Sequence, residues 1–245
     1  MPKEIMFMNG EKVPLGGAGA ILTRTAIIEA IEVNTKIGEV PEITISPYDR
    51  SCIGPCSYDI HTGTQYATYK DMKKKKLVGT HWEYQRNEDP DDPDAEEKTY
   101  SGHWVEVEDF EWEFKTIDPY NPSSYMSEIQ DIPETGLLCK PGEVYLIGTK
   151  ETVGSDKYEP ILTAKSSIGR LGISIAFASF GDIGFNGTWT LQIVVTYPTL
   201  IYPDMKIGQI YFLTPSRDVT KDDLYNGKYQ GATGLRASEY YKDVD

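Results

Sequence analysis

The sequence predicts an all-β fold, and three observations lead to that prediction. Short runs of alternating apolar and polar residues follow one another at close spacing, which is typical of strands. Turn residues separate these runs, and the 245 residues include 22 Gly and 15 Pro. Helical periodicity is confined to one short segment, so a β sandwich or barrel is favoured over a mixed fold.

The N-terminal part of the chain begins without a regular pattern. Residues 1–20 contain four glycines and no periodicity, and we expect them to form an arm ahead of a single β domain over residues 21–245. Thr23 is a candidate N-cap for a short amphipathic helix over residues 26–32. Two strands are expected next, at residues 43–45 and 57–63.

Residues from about 64 to 130 are predicted to be a polar insertion in this domain. They include a basic run at 73–76 and an acidic, proline-broken loop at 87–98. Alternating runs at 103–107 and 110–114 are predicted to pair with each other as a hairpin that has one aromatic and one acidic face. The region is too polar for a hydrophobic core of its own.

Strand signals become dense after residue 137. Turn residues occupy positions 138–143. Strands are then predicted over residues 144–148, 161–164, 188–195, 200–202 and 207–212. The last segment, from about 225 to 245, is polar and contains several glycines, so we expect a flexible tail.

Composition limits the classes of function. The net charge is −14, from 38 acidic and 24 basic residues, which argues against direct nucleic-acid binding because such proteins need basic surfaces. Three cysteines without a CxxC pair and without a secretory signal predict a reduced, cytoplasmic setting. The three histidines share no metal-ligand spacing with these cysteines. Apolar runs are too short to span a membrane.

The stretch from 164 to 193 carries the residues with the most chemistry. Ser166 and Ser167 lie between Lys165 and Arg170, and Asp182 follows in a Gly-Asp-x-Gly turn. Hydroxyls and cations can bind phosphate oxygens, and an Asp can orient a sugar or activate water. The pattern therefore indicates a site for a phosphorylated ligand. The alternative is a hairpin whose Ser and Asp are ordinary turn residues, and spacing alone leaves both open.

Six motifs in order resemble the dCTP deaminase/dUTPase superfamily, from about residue 20 to 238 apart from the insertion. They are Pro-Cys-Ser-Tyr-Asp-Ile at 55–60, a Pro-Gly strand at 138–148, Ser-Ser-Ile-Gly-Arg-Leu-Gly at 166–172, Asp-Ile-Gly-Phe-Asn-Gly at 182–187, Met-Lys-Ile-Gly-Gln at 205–209 and Lys-Tyr-Gln-Gly at 228–231. The likeness is greatest to the branch of dCTP deaminases and bifunctional dCTP deaminase-dUTPases.

This resemblance implies a distorted β jelly roll of the β-clip type that assembles as a homotrimer. Its active sites would lie between subunits and would bind a pyrimidine deoxynucleoside triphosphate with Mg²⁺, the metal being held through the triphosphate. The resemblance also implies that phosphates are bound by Ser166, Ser167, Gln209 and Lys165, where Lys replaces the usual Arg.

The remaining site residues follow from the same resemblance. Arg170 would reach the phosphate or the reacting water. Asp182 would hold the sugar and, in diphosphatase members, activate water for attack on the α-phosphorus. Phe185 would pack beside the deoxyribose, and Lys228 and Tyr229 would close over the ligand from the tail.

Gln192 departs from the deaminase pattern, which has Glu at this position. Deamination needs a group that takes a proton from water and gives one to ammonia, and an amide does neither at neutral pH. The zinc deaminase signature is also absent. Gln192 could instead bind a base edge, or it could merely fill the former Glu position, and both interpretations stay open.

The main functional hypothesis is therefore a Mg²⁺-dependent diphosphatase. It would convert dUTP, or a related pyrimidine deoxynucleotide, to the monophosphate and pyrophosphate, with Asp182 activating water. One alternative is a dCTP deaminase or a bifunctional enzyme, favoured by Arg170 and by overall similarity. A second alternative is a nucleotide-binding or regulatory homologue with a decayed site, favoured by Gln192, by Ala232 (which stands at a Gln position of the family) and by the insertion.

Overall fold

The computed structural model describes residues 4–6, 12–14, 19–37, 40–69, 73–86, 100–113, 117–121, 128–176 and 180–243. The chain divides into two compact units. The first unit comprises Met1–Tyr69 together with Pro119–Asp245, and the second unit is Lys70–Asp118.

The first unit consists mainly of strands, which confirms the all-β prediction. Its strands are β1 (Glu4–Met6), β2 (Lys12–Pro14), β3 (Thr44–Ser46), β4 (Tyr58–Thr68), β7 (Gln130–Asp131), β8 (Leu137–Cys139), β9 (Tyr145–Gly154), β10 (Glu159–Ala164), β11 (Ile173–Ala176), β12 (Asn186–Val195), β13 (Thr199–Ile201) and β14 (Lys206–Leu213). Two α-helices accompany them, α1 (Arg24–Ile37) and α2 (Ser166–Gly169).

An antiparallel sheet in the order β10-β14-β4-β9-β12-β11 forms the body of this unit. Strand β3 pairs with β9, β7 pairs with β4, and β13 pairs separately with β8. The two end strands of the path, β10 and β11, lie close to each other, so the sheet nearly closes on itself. The hydrophobic core therefore lies inside a barrel-like wall.

Strand β12 shows how the sequence determines the two faces of this wall. Its side chains alternate between buried and partly exposed along the whole strand, as the period of two requires. Trp189, Leu191 and Ile193 belong to the core. Thr190 and Gln192 are therefore on the opposite face, where they can line a site.

Helix α1 covers part of the core and confirms the single predicted helix, with longer bounds. Ile27, Ala30 and Ile31 form its buried stripe, at the i, i+3 and i+4 spacing of one helix face. The Thr23 carbonyl accepts the backbone N–H of Ile27 at 2.9 Å, so the helix begins where the sequence places its N-cap.

The second unit contains one long antiparallel hairpin of β5 (Lys73–Arg86) and β6 (Tyr100–Glu113). Its register runs from Lys73 opposite Glu113 to Arg86 opposite Tyr100. The predicted pairing of residues 103–107 with 110–114 is wrong, because both runs follow each other along β6 (position 114 lies outside the described residues). The Glu-Asp step between the runs contains no glycine, which tight hairpin turns usually need, so the alternation continues. The acidic run at 87–98 also lies outside the described residues.

Two further segments differ from the sequence-based expectation. Residues 137–139 form β8 and pair with β13, although the turn residues at 138–143 predicted a turn there. Strands β1 and β2 pair with each other inside the segment assigned to an arm. Within the described ranges, no helix combines the length and apolar character needed to cross a membrane.

Candidate active site

A concave cavity of about 370 Å³ in the first unit contains several of the residues that the sequence predicts. Its walls come from β12, from the turn that precedes β12, and from the C-terminal segment. The polar side chains that line it are Asp182, Thr188, Thr190, Gln192, Arg236 and Ser238.

Aromatic rings form much of the remaining wall. Phe185 meets Trp189 edge-to-face, with ring centroids 5.8 Å apart and an interplanar angle of 86°. It meets Tyr225 in the same manner, at 5.8 Å and 75°. Tyr229 and Tyr69 complete this side of the cavity. Such a wall suits a flat aromatic ligand or a sugar face.

The turn that carries Asp182 is fixed by backbone hydrogen bonds to strand β10 and to the residue that follows β9. The N–H of Gly181 donates to the Pro160 carbonyl at 3.0 Å, and the N–H of Gly184 donates to the Ser155 carbonyl at 2.7 Å. Gly184 has a φ of 91°, and a Cβ there would lie 2.8 Å from the backbone nitrogen of Tyr225. The turn therefore requires glycine at this position, both for its backbone conformation and for close approach of the C-terminal segment.

Gln192 presents a hydrogen-bond acceptor. Its Nε2 donates to the Thr190 carbonyl at 3.0 Å. Because that carbonyl can only accept, the orientation of the amide is determined. Oε1 is buried and has no hydrogen-bond partner among the described residues, and Gln192 lines the cavity. A ligand with an N–H or O–H donor would satisfy this oxygen.

A second carboxyl group lies beside Asp182, and the sequence analysis missed it. Glu159 begins β10. Burial and the neighbouring Asp182 charge raise the pKa of Glu159 to about 7, although a hydrogen bond from the backbone of Ile183 lowers it. No local motif marks this glutamate, because its neighbour is more than twenty positions away in the chain.

The C-terminal segment is bound across the start of β12 by Gln230. Its Oε1 accepts the backbone N–H of Asn186 at 2.9 Å, and its Nε2 donates to the Gly184 carbonyl at 2.6 Å. Ala232 is buried, and its carbonyl accepts the N–H of Thr188 at 2.9 Å. This small side chain therefore packs against the strand that carries Gln192.

Three further residues of this segment have different surroundings. Tyr229 lines the cavity, and its hydroxyl accepts the backbone N–H of Glu239 at 2.8 Å. Lys228 forms an ion pair with Asp243. Arg236 lines the cavity and is held by its backbone N–H, which donates to Thr190 Oγ1 at 3.0 Å. Arg236 is a cation at the site that the sequence analysis did not identify.

The residues predicted to bind phosphate form a separate group. Lys165 forms an ion pair with Asp59. Gln209 pairs with Asp59 across β14 and β4, and its Oε1 accepts from Ser57 Oγ at 3.2 Å. Sheet pairing thus brings the motif at 55–60 together with Lys165 and Gln209.

Helix α2 holds the rest of this group on the surface. Ser166, Ser167 and Arg170 are exposed, and Arg170 Nη1 donates to Ser166 Oγ at 3.4 Å. The ten residues predicted for the site are thus divided. Asp182, Phe185, Gln192 and Tyr229 line the cavity, whereas Lys165, Ser166, Ser167, Arg170, Gln209 and Lys228 are not among its lining residues.

Comparisons with known proteins agree with the motifs. A family model described as dCTP deaminase-like matches residues 101–214. A protein of Leptospira biflexa named "dCTP deaminase, dUMP-forming" is 43% identical over 224 residues, which cover 89% of this chain and 98% of that protein. A protein of Cytophaga hutchinsonii with the same name is 32% identical over 220 residues, covering 89% and 99%. A Clostridium botulinum protein, again with this name, is 48% identical over 133 residues, covering 54% and 74%.

These names correct the main functional hypothesis from the sequence. That hypothesis was a diphosphatase that leaves the base unchanged, and it placed deamination second because of Gln192. The relatives are named as deaminases that form dUMP, so the main hypothesis is wrong and the bifunctional alternative is the better supported. The ranking was wrong because it gave the amide of Gln192 more weight than the overall similarity to dCTP deaminases.

The superfamily resemblance itself is confirmed. Relatives that align over nearly their whole length, at 32% and 43% identity, extend well beyond the six motifs. The chain belongs to the dCTP deaminase/dUTPase superfamily of enzymes.

Proposed function

We propose that this chain converts dCTP to dUMP, with release of ammonia and pyrophosphate. Two water molecules are consumed, one at C4 of the base and one at the α-phosphorus. The observation that carries this proposal is the 43% identity, over 98% of its length, to a dUMP-forming dCTP deaminase. The cavity around Asp182 and Gln192 provides a suitable location for the base and sugar.

The acceptor of Gln192 favours cytosine over uracil. Cytosine has an amino donor at C4, whereas uracil has a carbonyl acceptor at that position. The unpartnered Oε1 would accept a hydrogen bond from the amino group of cytosine. With uracil, it would face the O4 acceptor and receive no hydrogen bond. Leaving a buried acceptor unpaired costs about 1–3 kcal/mol, so Gln192 supports selection of the base that is to be deaminated.

Asp182 is the group that we propose for proton transfer. Among the described residues that line the cavity, it is the single carboxylate. A carboxylate can take a proton from water and give one to departing ammonia, which the Gln192 amide cannot do. Phe185, next to Asp182 on the same turn, would pack against the deoxyribose and leave no room for a 2′-hydroxyl.

The triphosphate would be bound by the exposed group on and around α2. Ser166 and Ser167 offer hydroxyls, and Lys165 and Arg170 offer charge. Because this group does not line the cavity, we propose that a neighbouring subunit supplies it and that the enzyme is a homotrimer. Mg²⁺ would enter with the triphosphate and offset its charge. Within the described ranges no three His, Cys, Asp or Glu residues cluster as a ligand set.

The C-terminal segment would close the site. Tyr229 and Arg236 lie at the cavity, and Lys228 forms an ion pair with Asp243. Release of Lys228 from Asp243 would allow its ammonium group to reach a phosphate, which is a stronger partner than an exposed carboxylate.

Substitution of Asp182 tests the proposal. The Asp182→Asn variant retains the shape of the side chain but cannot accept a proton. We expect both ammonia and pyrophosphate from dCTP to fall at least about 100-fold, while the melting temperature stays close to that of the wild type. Asp218→Asn, at an exposed aspartate, is the matched control and should retain activity. Wild-type rates in Asp182→Asn would remove this carboxylate from the mechanism.

A further inference from the structure

The Asp182 turn lies along the edge of β10 that does not pair with β14. Ile161 of β10 forms a β-bridge with Phe180, and the Gly181 N–H donates to the Pro160 carbonyl at 3.0 Å. The first residue of β10, Glu159, is thereby placed next to the turn. Its carboxyl group accepts a hydrogen bond from the backbone of Ile183, the residue after Asp182.

The other oxygen of Glu159 has no such partner. Oε1 is buried without a hydrogen bond among the described residues. An ionised carboxylate in this position would leave a charged oxygen buried and unpaired, which is costly. A protonated carboxyl carries no charge and avoids most of that cost.

In the part of the chain that the structure describes, the neighbouring elements supply no counter-charge to Glu159. Before β10, Lys157 forms an ion pair with Glu42, and the Tyr158 hydroxyl donates to the same carboxylate at 3.0 Å. Across the sheet, the residue opposite Glu159 is the apolar Leu213 of β14.

The other two neighbouring segments are the turn and the C-terminal segment. The turn brings the charge of Asp182 towards Glu159. The C-terminal segment brings Tyr225, whose backbone N–H donates to the Ile183 carbonyl at 2.7 Å. Arg236 of this segment lines the cavity with Asp182, but no cation is among the groups that act on the pKa of Glu159. Among the described residues, Glu159 therefore meets a like charge without a counter-charge.

We propose that Glu159 is a positioning residue for Asp182. Its protonated carboxyl group holds the turn through Ile183 and leaves the negative charge of the pair on Asp182, the carboxylate that faces the cavity. This inference rests on the proposed function, because it assigns Asp182 the proton transfers of deamination and hydrolysis. In those steps Asp182 accepts and returns the proton, and Glu159 keeps its own.

A pH dependence follows from this arrangement. Burial and Asp182 raise the pKa of Glu159 to about 7, so Glu159 loses its proton as the pH rises through neutrality. Two adjacent carboxylates then repel each other, and the added charge opposes an anionic substrate. Activity should therefore decline on the alkaline side.

The Glu159→Gln variant tests this directly, since glutamine keeps the shape and stays neutral at every pH. For the wild type we expect kcat/KM to fall about tenfold per pH unit above the pKa of Glu159. Glu159→Gln should lose this decline, changing less than about twofold between pH 7 and 8.5. Glu134→Gln, at an exposed glutamate outside the site, should keep the wild-type profile. Identical alkaline declines in all three proteins would contradict the proposal.

A second measurement separates this inference from the proposed function, because it needs no turnover. Carbon-13 NMR of glutamate carboxyl groups in the wild-type protein should show one group that titrates near pH 7. That signal should disappear in Glu159→Gln and should move to lower pH in Asp182→Asn. If every resolved glutamate titrates below about pH 5, as exposed glutamates do, the proposal is overturned even if the enzyme makes dUMP.

Discussion

The orientation of the Gln192 amide determines which hydrogen-bonding group this side chain presents to a ligand. The hydrogen bond from its Nε2 to the Thr190 carbonyl fixes the orientation of the amide, so the buried and unpartnered Oε1 is an acceptor that a ligand would meet. The deaminase pattern that this sequence resembles has Glu at this position, and a carboxylate here would direct one oxygen at a carbonyl oxygen. Replacement of the amide by an acid therefore has a cost that is independent of catalysis.

Gln192→Glu is accordingly expected to be less stable than the wild type, and more so at high pH. The ionised form would face the Thr190 carbonyl without a donor, at a cost of about 1–3 kcal/mol. Its folded-state pKa would rise, so the stability present at pH 5 is lost as the pH rises to 8. Thermal unfolding at both pH values measures this effect. Gln130→Glu, at an exposed position where the side-chain oxygen already accepts a hydrogen bond from the Tyr66 hydroxyl, should change little. Equal melting temperatures for Gln192→Glu at both pH values would contradict the expectation.

Sequence reasoning identified those site residues whose roles are local. Asp182 and Phe185 were found because a turn motif of a few residues carries them, and both line the cavity. Glu159 was missed, because its carboxyl group comes close to Asp182 only when folding places β10 beside the turn that follows β11. Arg236 was missed for a similar reason, since only the path of the C-terminal segment brings it to β12.

At the scale of elements, the site depends on how the C-terminal segment binds to the start of β12. Gln230 connects three backbone groups, those of Asn186, Gly184 and Tyr225. These groups flank Phe185, the ring that meets both Trp189 and Tyr225. The side chain of Gln230 therefore links the closing segment to the turn that carries Asp182.

Gln230→Ala should loosen that link. The N–H of Asn186 loses its side-chain acceptor, so we expect its hydrogen exchange to accelerate by about tenfold, as loss of one hydrogen bond allows. The KM for dCTP should rise because the segment no longer covers the ligand. Hydrogen-exchange mass spectrometry over residues 183–190 is the measurement, with Gln65→Ala as the control. Unchanged exchange in these peptides would show that Gln230 does not hold the segment.

Elements were predicted well where alternation and turn chemistry coincide. Strands β9, β12 and β14 and helix α1 appear near their predicted positions, although their bounds are longer. The hairpin predicted within residues 103–114 was wrong, because the two alternating runs belong to one continuous strand, β6. The partner strand β5 is separated from β6 by an acidic run of low periodicity, so no pattern in the sequence indicated their pairing.

At the scale of the whole molecule, the division of the site is the main feature. The four predicted residues at the cavity and the exposed group on α2 belong to one unit of the chain, yet only the first four meet at the cavity. The homotrimer that we propose would account for the division, since each site would then combine the cavity of one subunit with the α2 group of its neighbour.

Hybrid oligomers test that assembly. Asp182→Asn and Arg170→Ala should each be inactive alone. When they are co-expressed and purified together, random mixing should restore about a quarter of the wild-type activity, because some sites combine two intact surfaces. As a control, the double variant is co-expressed with the wild type. The mixture should retain about a quarter of the wild-type activity if sites are shared between subunits, and about half if each site lies within one subunit. No recovery in the first mixture would contradict shared sites.

The most direct test of the central claim is the product ratio from dCTP. Purified protein with Mg²⁺ and dCTP would be followed for ammonia, pyrophosphate and nucleotide in the same tube. We predict dUMP as the nucleotide product, with ammonia and pyrophosphate formed in equal amounts. Pyrophosphate with dCMP and no ammonia would contradict the deamination, and ammonia with accumulating dUTP would contradict the hydrolysis.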